Sequence, residues 1–152
     1  METENNNNIT ITKMTEADLN SIKDILTTEF DNFWNYNVLL QEFLNDTSSL
    51  FVATTQSHEI VGFISIQIIL DEATITNIVT KKQSRNYGIG SSLLKNIINY
   101  CKSQNLKNLT LEVNEKNTSA LNLYKKYNFK QTGLRKNYYN GTDNAIIMNL
   151  YL

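Results

Sequence analysis

A strand, a short basic turn and a helix that opens on two glycines follow one another near the middle of the chain. The apolar, β-branched run 73–79 predicts the strand, and apolar residues at helical spacing over 89–104 predict the helix. Gly88 and Gly90 stand at the junction. Free backbone N–H groups and the positive end of the helix dipole converge at such a helix start, so an anionic ligand such as a phosphate is expected there.

This segment alone is compatible with two interpretations. The Arg-x-x-Gly-x-Gly spacing that begins at Arg85 suits a phosphate cradle, and Lys81 and Lys82 just upstream favour the same negative charge. A glycine-rich helix cap beside a solvated basic turn would give the same pattern. Residues elsewhere in the chain have to decide between them.

Length, composition and charge exclude several classes of protein. The chain has 152 residues, 41% of them hydrophobic, which suits one domain with one core. A net charge of −1 lacks the basic face that nucleic-acid binding requires, so no nucleic-acid partner is expected. No apolar run reaches about 18 residues, so no membrane span is expected. Residues 1–8 are Asn-rich without a signal-peptide pattern and predict a disordered tail, which leaves 9–152 as the domain.

Cysteine and histidine are each present once. Cys101 cannot form an intrachain disulfide and lies on the apolar stripe of its helix, which predicts a buried, inert thiol and a reducing, cytoplasmic setting. His58 lies in a polar stretch typical of a hairpin turn. A His/Cys metal site is therefore not expected.

The order of patterns predicts an α+β domain. With no Pro and five Gly, its turns have to rely on Asn and Asp. Three strands should form an antiparallel meander, the strand–helix–strand order after them implies a parallel pairing, and Asn140-Gly141 favours a final hairpin. We expect a three-layer α/β architecture, with about four helices flanking a mixed, mostly antiparallel sheet of about seven strands. The expected strands are 9–12, 50–54, 60–70, 73–79, 108–114, one starting at 129–133, and 145–151; the expected helices are 15–30 after a Thr15 cap, one around 38–43, 89–104 and 118–127.

Two residues of this pattern can carry chemistry. Glu112 lies in a strand whose neighbours Leu111 and Val113 share the opposite face, so its carboxylate is either part of an ordinary polar face, paired for instance with a lysine, or used. Tyr124 lies on the apolar stripe of its helix, where a structural ring is the default. As chemistry, a phenol with a pKa near 10 is a usable proton donor to a thiolate.

The order of these motifs resembles the GCN5-related N-acetyltransferase (GNAT) superfamily. The residues concerned are Arg-x-x-Gly-x-Gly after a strand, then Leu-Glu-Val, then Asn117, then Ala-Leu-x-Leu-Tyr followed by Phe129. Within the superfamily, the stretches 70–78, 135–139 and 143–148 resemble the ribosomal-protein alanine N-acetyltransferase (RimI) group. The similarity covers almost the whole chain from about Ile9.

The resemblance implies transfer of an acetyl group from acetyl-CoA to the N-terminal α-amine of a protein, with a small first residue such as Ala, directly in a ternary complex and without a metal. Glu112 matches the general base and Tyr124 the general acid. Arg135, Tyr138 and Tyr139 match a loop beside the acceptor peptide. Coenzyme contacts are expected from Ile78, Val79, Thr80, Arg85, Asn86, Tyr87, Gly88, Ile89, Gly90, Ser91 and Asn117.

Two departures from the family pattern and two other functions stay open. Asn128 stands where the family usually has Gly, and Asn114 where the bacterial group often has Arg, which leaves acceptor preference undecided. Phe33-Trp34 is either an acceptor-site wall or part of the core. The alternative functions are acetylation of a small free amine (a polyamine or an antibiotic) and acyl-CoA sensing without turnover. The sequence does not determine the oligomeric state.

Overall fold

The computed structural model describes residues 8–152, so the tail predicted for 1–8 lies, apart from Asn8, outside the described residues. The elements in chain order are β1 (Thr10–Lys13), α1 (Glu16–Ile22), a π-helical segment (Leu26–Phe30), α2 (Tyr36–Leu44), β2 (Ser48–Thr54), β3 (Ile60–Ile69), β4 (Glu72–Thr80), a 3₁₀ turn (Lys82–Ser84), α3 (Ile89–Ser103), β5 (Asn108–Asn114), α4 (Thr118–Lys126), β6 (Lys130–Tyr139) and β7 (Asp143–Tyr151).

One seven-stranded sheet in the order β1-β2-β3-β4-β5-β7-β6 organises these elements. The first four strands form the expected antiparallel meander, and β6 and β7 form the expected hairpin. β4 and β5 pair in parallel, as the strand–helix–strand order predicted. The mixed, mostly antiparallel sheet of the sequence-based expectation is therefore confirmed.

Two apolar cores cover the two faces of this sheet. On one face, α3 and α4 bury side chains such as Leu93, Ile97 and Tyr124 against Leu109 and Leu111 of β5. On the other face, α1, the π-helical segment and α2 bury a second set that includes Leu19, Phe30 and Leu39. The sheet and the helices on its two faces therefore form three layers, and each face of the sheet packs against a different set of helices.

The predicted first helix is shorter than expected. Its capping box forms, with the Thr15 hydroxyl accepting from the Asp18 N–H at 3.1 Å and the Asp18 carboxylate from the Thr15 N–H at 2.9 Å. The prediction that it continues to Phe30 was wrong, because α1 ends at Ile22 and the π-helical segment follows. Contacts from the basic turn, described below, hold this segment, and apolar periodicity carries no information about them.

The stretch Arg135 to Tyr139 is strand, not the loop that was expected. It belongs to β6, whose pairing with β7 is irregular between Arg135 and Tyr139. β6 is an edge strand with most residues exposed, so it lacks the alternation that marks a half-buried strand.

Asparagine takes over turn positions that glycine usually fills. Asn128 has φ 71°, so the departure from the family's Gly keeps the left-handed turn. Other described Asn residues with positive φ are Asn86, Asn105, Asn137 and Asn140. Across residues 8–152, no helix is long and apolar enough to cross a bilayer.

Candidate active site

β4 and β5 separate halfway along their length. They pair from Glu72 and Asn108 only as far as Ile75 and Leu111. Beyond that point β4 continues beside β3, and β5 continues beside β7. The facing edges of the two strands are then free of each other, so their backbone N–H and C=O groups can pair with a ligand that lies between them.

A cleft of about 760 Å³ occupies this gap, a volume typical of ligand sites. It extends from the end of β4 to the starts of α3 and α4. Tyr87, Arg135 and Tyr138 are not among the residues that line it. The predicted site residues that do line it are Ile78, Val79, Thr80, Arg85, Asn86, Gly88, Ile89, Gly90, Ser91, Glu112, Asn117, Tyr124 and Tyr139.

The two glycines differ in what the fold asks of them. Gly88 caps α3 in the left-handed region at φ 79°, which favours glycine. Gly90 has ordinary helical geometry, and a Cβ there would meet Leu123 Cδ2 at 3.6 Å and Thr80 Oγ1 at 3.8 Å, both normal contacts. The protein itself therefore has room for a side chain at Gly90, and the space left by the missing one adjoins the cleft. This fits a site where a phosphate group approaches the helix N-terminus closely.

The three cations of the basic turn do not act together, contrary to expectation. Lys81 is buried, and its Nζ lies 2.7 Å from Glu59 Oε1 and 3.4 Å from Glu29 Oε1. Burial opposes its charge, but the two carboxylates outweigh burial and raise the pKa of Lys81. Lys82 is exposed. The positive charge of Lys81 is thus paired with carboxylates of the protein itself.

Arg85 ties the basic turn to the π-helical segment. Its Nη2 donates to the Phe30 carbonyl at 3.1 Å and its Nε to the Thr80 carbonyl at 3.5 Å. Together with the Lys81–Glu29 pair, this fixes the π-helical segment against the end of β4. The chain that follows this segment reaches the cleft at Asp31 and Phe33.

The Phe33-Trp34 pair divides between the two roles that were expected for it. Trp34 is buried in the core beneath α1 and α2, whereas Phe33 is 59% exposed and lines the cleft. Their rings stack with centroids 6.3 Å apart. Phe33 therefore forms part of the cleft wall, and the buried Trp34 ring supports it.

Glu112 points away from the core formed by its neighbours in β5 and lines the cleft. Its Oε1 lies 2.8 Å from Nε of Arg135, so the partner is an arginine and not the lysine considered from sequence. The Arg135 guanidinium lies 5.5 Å from the centre of the Tyr138 ring. Arg135 and Tyr138, although outside the cleft lining, therefore adjoin the candidate base.

Tyr124 is buried on α4 and lines the same cleft. Burial, with a smaller contribution from Tyr139, raises the pKa of its phenol to about 12. The phenol is therefore a weaker acid than the unperturbed group considered from sequence, and it stays protonated at any physiological pH. In that state the phenol can donate a hydrogen bond or a proton but cannot act as a base.

The β6–β7 hairpin is held against the end of β5 by polar side chains. Asn114 Nδ2 donates to Asp143 Oδ2 at 3.2 Å, and Lys116 Nζ pairs with Asp143 Oδ1 at 2.8 Å. Glu115 Oε2 accepts from Asn144 Nδ2 at 3.2 Å. Asn114 thus anchors the hairpin that carries Tyr139 into the cleft. The comparison of Asn114 with the Arg that the bacterial group often has there does not reveal this role.

Asn117 caps α4, as predicted, with Oδ1 accepting the Ala120 N–H at 3.1 Å. Further residues reach the cleft without having been assigned to it from sequence. Their signal is weak because an apolar strand or helix residue gives the same sequence pattern whether it faces a core or a cleft. They are Asp31, Ile75, Thr76, Asn77, Leu111, Val113, Ser119, Ala120 and Leu123, and Asn114, which was expected to bear on acceptor preference, lines the cleft as well.

Comparison with known proteins gives one consistent result. Residues 5–144 match the family model described as "Acetyltransferase (GNAT) domain". The [ribosomal protein bS18]-alanine N-acetyltransferase of Haemophilus ducreyi is 32% identical over 146 residues, covering 93% of this chain and 99% of that protein.

Two solved structures share the fold. The ribosomal-protein-S18-alanine N-acetyltransferase from Escherichia coli superposes with a TM-score of 0.85 at 28% identity, covering 94% of this chain and 93% of that one. A GNAT family acetyltransferase from Elizabethkingia anophelis with acetyl-CoA bound superposes with a TM-score of 0.75 at 26% identity, covering 95% and 99% of the two chains.

Proposed function

This chain belongs to the acetyltransferase (GNAT) domain family, and we propose that it acetylates the N-terminal α-amine of a protein in the cytoplasm, using acetyl-CoA as donor. A small first residue such as Ala is the expected acceptor, since a curated relative and a structural neighbour are named for alanine acetylation of a ribosomal protein. The observation that carries the proposal is that Glu112, Tyr124 and the glycine turn line one cleft between separated strands.

The donor side of the cleft suits acetyl-CoA. When bound, this co-substrate supplies an acetyl group on a thioester. The start of α3 from Gly88 to Ser91 would hold its pyrophosphate, and the free edge of β4 at Ile78 to Thr80 would hold its pantetheine arm. A backbone N–H near Val79 would stabilise negative charge on the carbonyl oxygen. Arg85 would contribute by fixing this turn in place.

The acceptor side suits an α-amine. An amine must lose a proton before it attacks, and at pH 7 this costs about 1 kcal/mol for an α-amine of pKa about 7.7–8.0 but about 4.6 kcal/mol for lysine. One carboxylate, Glu112, acting directly or through a water is enough for the smaller cost. Tyr124 would protonate the departing thiolate, since its phenol keeps its proton.

The charge of the cleft supports a protein acceptor over a polyamine. Asp31 and Glu112 are the carboxylates among the described residues that line the cleft, and Glu112 is paired with Arg135. A polycation would be expected to bind several unpaired carboxylates in a row.

An acceptor panel tests the proposal. Acetyl-CoA consumption is measured with peptides that differ only in the first residue, with spermidine, with an aminoglycoside and with buffer alone. We expect turnover with peptides that begin with small residues. Turnover with the free amines only would assign the enzyme to small-molecule acetylation, and coenzyme binding without thiol release for any acceptor would assign it to sensing.

A further inference from the structure

A bulge in β4 brings Asn77 to the face of the sheet that carries Glu112. Opposite β3, Ile75 pairs with Ile66 and Asn77 with Ser65, which leaves Thr76 as the extra residue. Before the bulge, Ile75 belongs to the core under α3 and α4; after it, Val79 belongs to the core under α1 and α2. Asn77, two residues before Val79, shares its side.

Glu112 lies on this same side, across the gap. Its neighbours Leu111 and Val113 belong to the core under α3 and α4, so the Glu112 side chain points to the other face. Parallel pairing of the two strands ends at Ile75 and Leu111, directly before the residues concerned. Asn77 and Glu112 therefore lie on opposite sides of the cleft, close to the point where β4 and β5 separate. Both residues line the cleft.

The Asn77 carboxamide has an unused donor. The residue is 8% exposed, and its Nδ2 has no hydrogen-bond partner among residues 8–152. Ser65, opposite in the register, bonds through its hydroxyl to Thr76 Oγ1 at 2.9 Å instead. In this orientation of the amide Nδ2 is also shielded from the cleft, and an unsatisfied, shielded donor costs free energy, which disfavours this orientation.

We propose that Asn77 is an acceptor-binding residue, whose amide N–H donates to the carbonyl oxygen of the acceptor's first residue while Glu112 serves the α-amine of that same residue. An α-amine and its own carbonyl oxygen lie close together, so groups on the two sides of the cleft can bind both. The two ends of a carboxamide are nearly isosteric, so a half-turn of the amide presents its NH₂ to the cleft. A polyamine has no such carbonyl, so Asn77 selects a peptide N-terminus. This inference rests on the proposed function.

A substitution that removes the donor without leaving a hole tests the inference. Asn77→Leu is close to isosteric and fills the site with apolar atoms. We expect its Tm to stay level or rise, because an unsatisfied group is removed. We expect its kcat/KM for an Ala-first peptide to fall about tenfold, mainly through the acceptor KM, with the KM for acetyl-CoA changed less than about twofold. Asn99→Leu, on the exposed face of α3, is the matched control and should leave both KM values unchanged.

A change in the acceptor identifies the atom concerned. A peptide whose first carbonyl oxygen is replaced by sulfur keeps its α-amine but accepts hydrogen bonds poorly. Wild-type protein should lose about five- to tenfold in kcat/KM on this thioxo-peptide, whereas Asn77→Leu should lose less than about twofold, as a double-mutant cycle requires for one shared contact.

An equal loss of kcat/KM on the thioxo-peptide in wild-type protein and in Asn77→Leu would overturn this inference but not the proposed function. An unchanged KM for the acceptor peptide in Asn77→Leu would do the same. A lower Tm in Asn77→Leu together with equal losses for the acceptor peptide and acetyl-CoA would indicate that Asn77 has a structural role, and would also overturn the inference. Wild-type protein that acetylates no peptide would overturn the proposed function and this inference together.

Discussion

Arg135 Nε lies 2.8 Å from Glu112 Oε1 although β7 separates their strands. Arg135 pairs with Ala145 of β7, and Ala145 pairs with Asn114 of β5, so the arginine extends over a methyl group to reach the carboxylate two residues back. The edge strand thus positions the candidate base from outside the cleft. This explains how a residue that does not line the cleft can still bear on its chemistry.

The Glu112 carboxylate should matter most where the acceptor amine is protonated. Glu112→Gln keeps the shape but cannot take a proton, so we expect kcat/KM to fall at least about tenfold at pH 6.5 and much less at pH 9, where an α-amine is mostly neutral. Initial rates from pH 6 to 9 measure this. Glu72→Gln, which changes an exposed carboxylate at the start of β4, is the control and should leave kcat/KM unchanged at both pH values. A loss that is the same at both pH values would contradict the role of a base.

Arg135 should act through Glu112 and contribute little to stability. Arg135 is 57% exposed, and ion pairs of this kind contribute about 0–1 kcal/mol, so Arg135→Met should leave Tm almost unchanged. We expect it to lower kcat/KM several-fold in the wild-type background and to have little further effect in Glu112→Gln. Kinetics of the two single variants and the double variant give the coupling. Additive losses would show that Arg135 acts independently of the base.

Tyr124 should show its raised pKa in the alkaline pH profile. Burial raises the pKa to about 12, which disfavours the phenolate, so the proton needed for thiol release is lost only above about pH 11. The rate should therefore rise as the acceptor amine deprotonates near pH 8 and stay level to pH 10, as measured by thiol release.

Removing the hydroxyl tests the same residue. Tyr124→Phe should lower kcat at least about tenfold with both KM values nearly unchanged. Tyr100→Phe, at a half-buried tyrosine of α3 that packs on Phe51 away from the cleft lining, is the control. A decline in wild-type rate between pH 9 and 10 that is absent from Tyr124→Phe would show that the phenol titrates earlier.

The two glycines of the turn should separate folding from binding. Gly90→Ala meets only ordinary contacts in the protein and removes a helix-breaking residue, so its Tm should stay level or rise. Its KM for acetyl-CoA should nevertheless rise about tenfold if a phosphate approaches this backbone. Gly88→Ala, at φ 79°, should instead lose about 1–2 kcal/mol of stability. Thermal melting and coenzyme titration distinguish them, and an unchanged KM in Gly90→Ala would place the phosphate elsewhere.

Local sequence patterns predicted most of the fold, because interactions between residues close in sequence determine most of its helices and strands. β5 was predicted at the bounds it has, since alternation of Leu109, Leu111 and Val113 with polar residues reflects real burial on one face. The capping box at Thr15 and the Asn117 cap involve residues three apart and were equally visible. The resemblance to the GNAT superfamily placed the glycine turn, Glu112 and Tyr124 in one site, and all three line one cleft in the structure.

Contacts between distant segments account for what sequence did not show. The π-helical segment that follows the break at Ile22 is held by Lys81 and Arg85, which lie more than fifty residues further along the chain. The bulge at Thr76 reverses the faces of β4, so simple alternation assigns Asn77 to the wrong core. The partner of Glu112 is on an edge strand whose exposed residues follow no period.

Locating the acetyl group on an acceptor tests the central proposal most directly. A peptide that begins with Ala and contains one internal Lys is incubated with the protein and acetyl-CoA, and fragment masses locate the modification. We expect one acetyl group, on the α-amine, with one thiol released per peptide acetylated, and no modification when the N-terminus is already blocked. Acetylation of the lysine side chain, or no acetylated peptide under conditions where spermidine is consumed, would contradict the proposal.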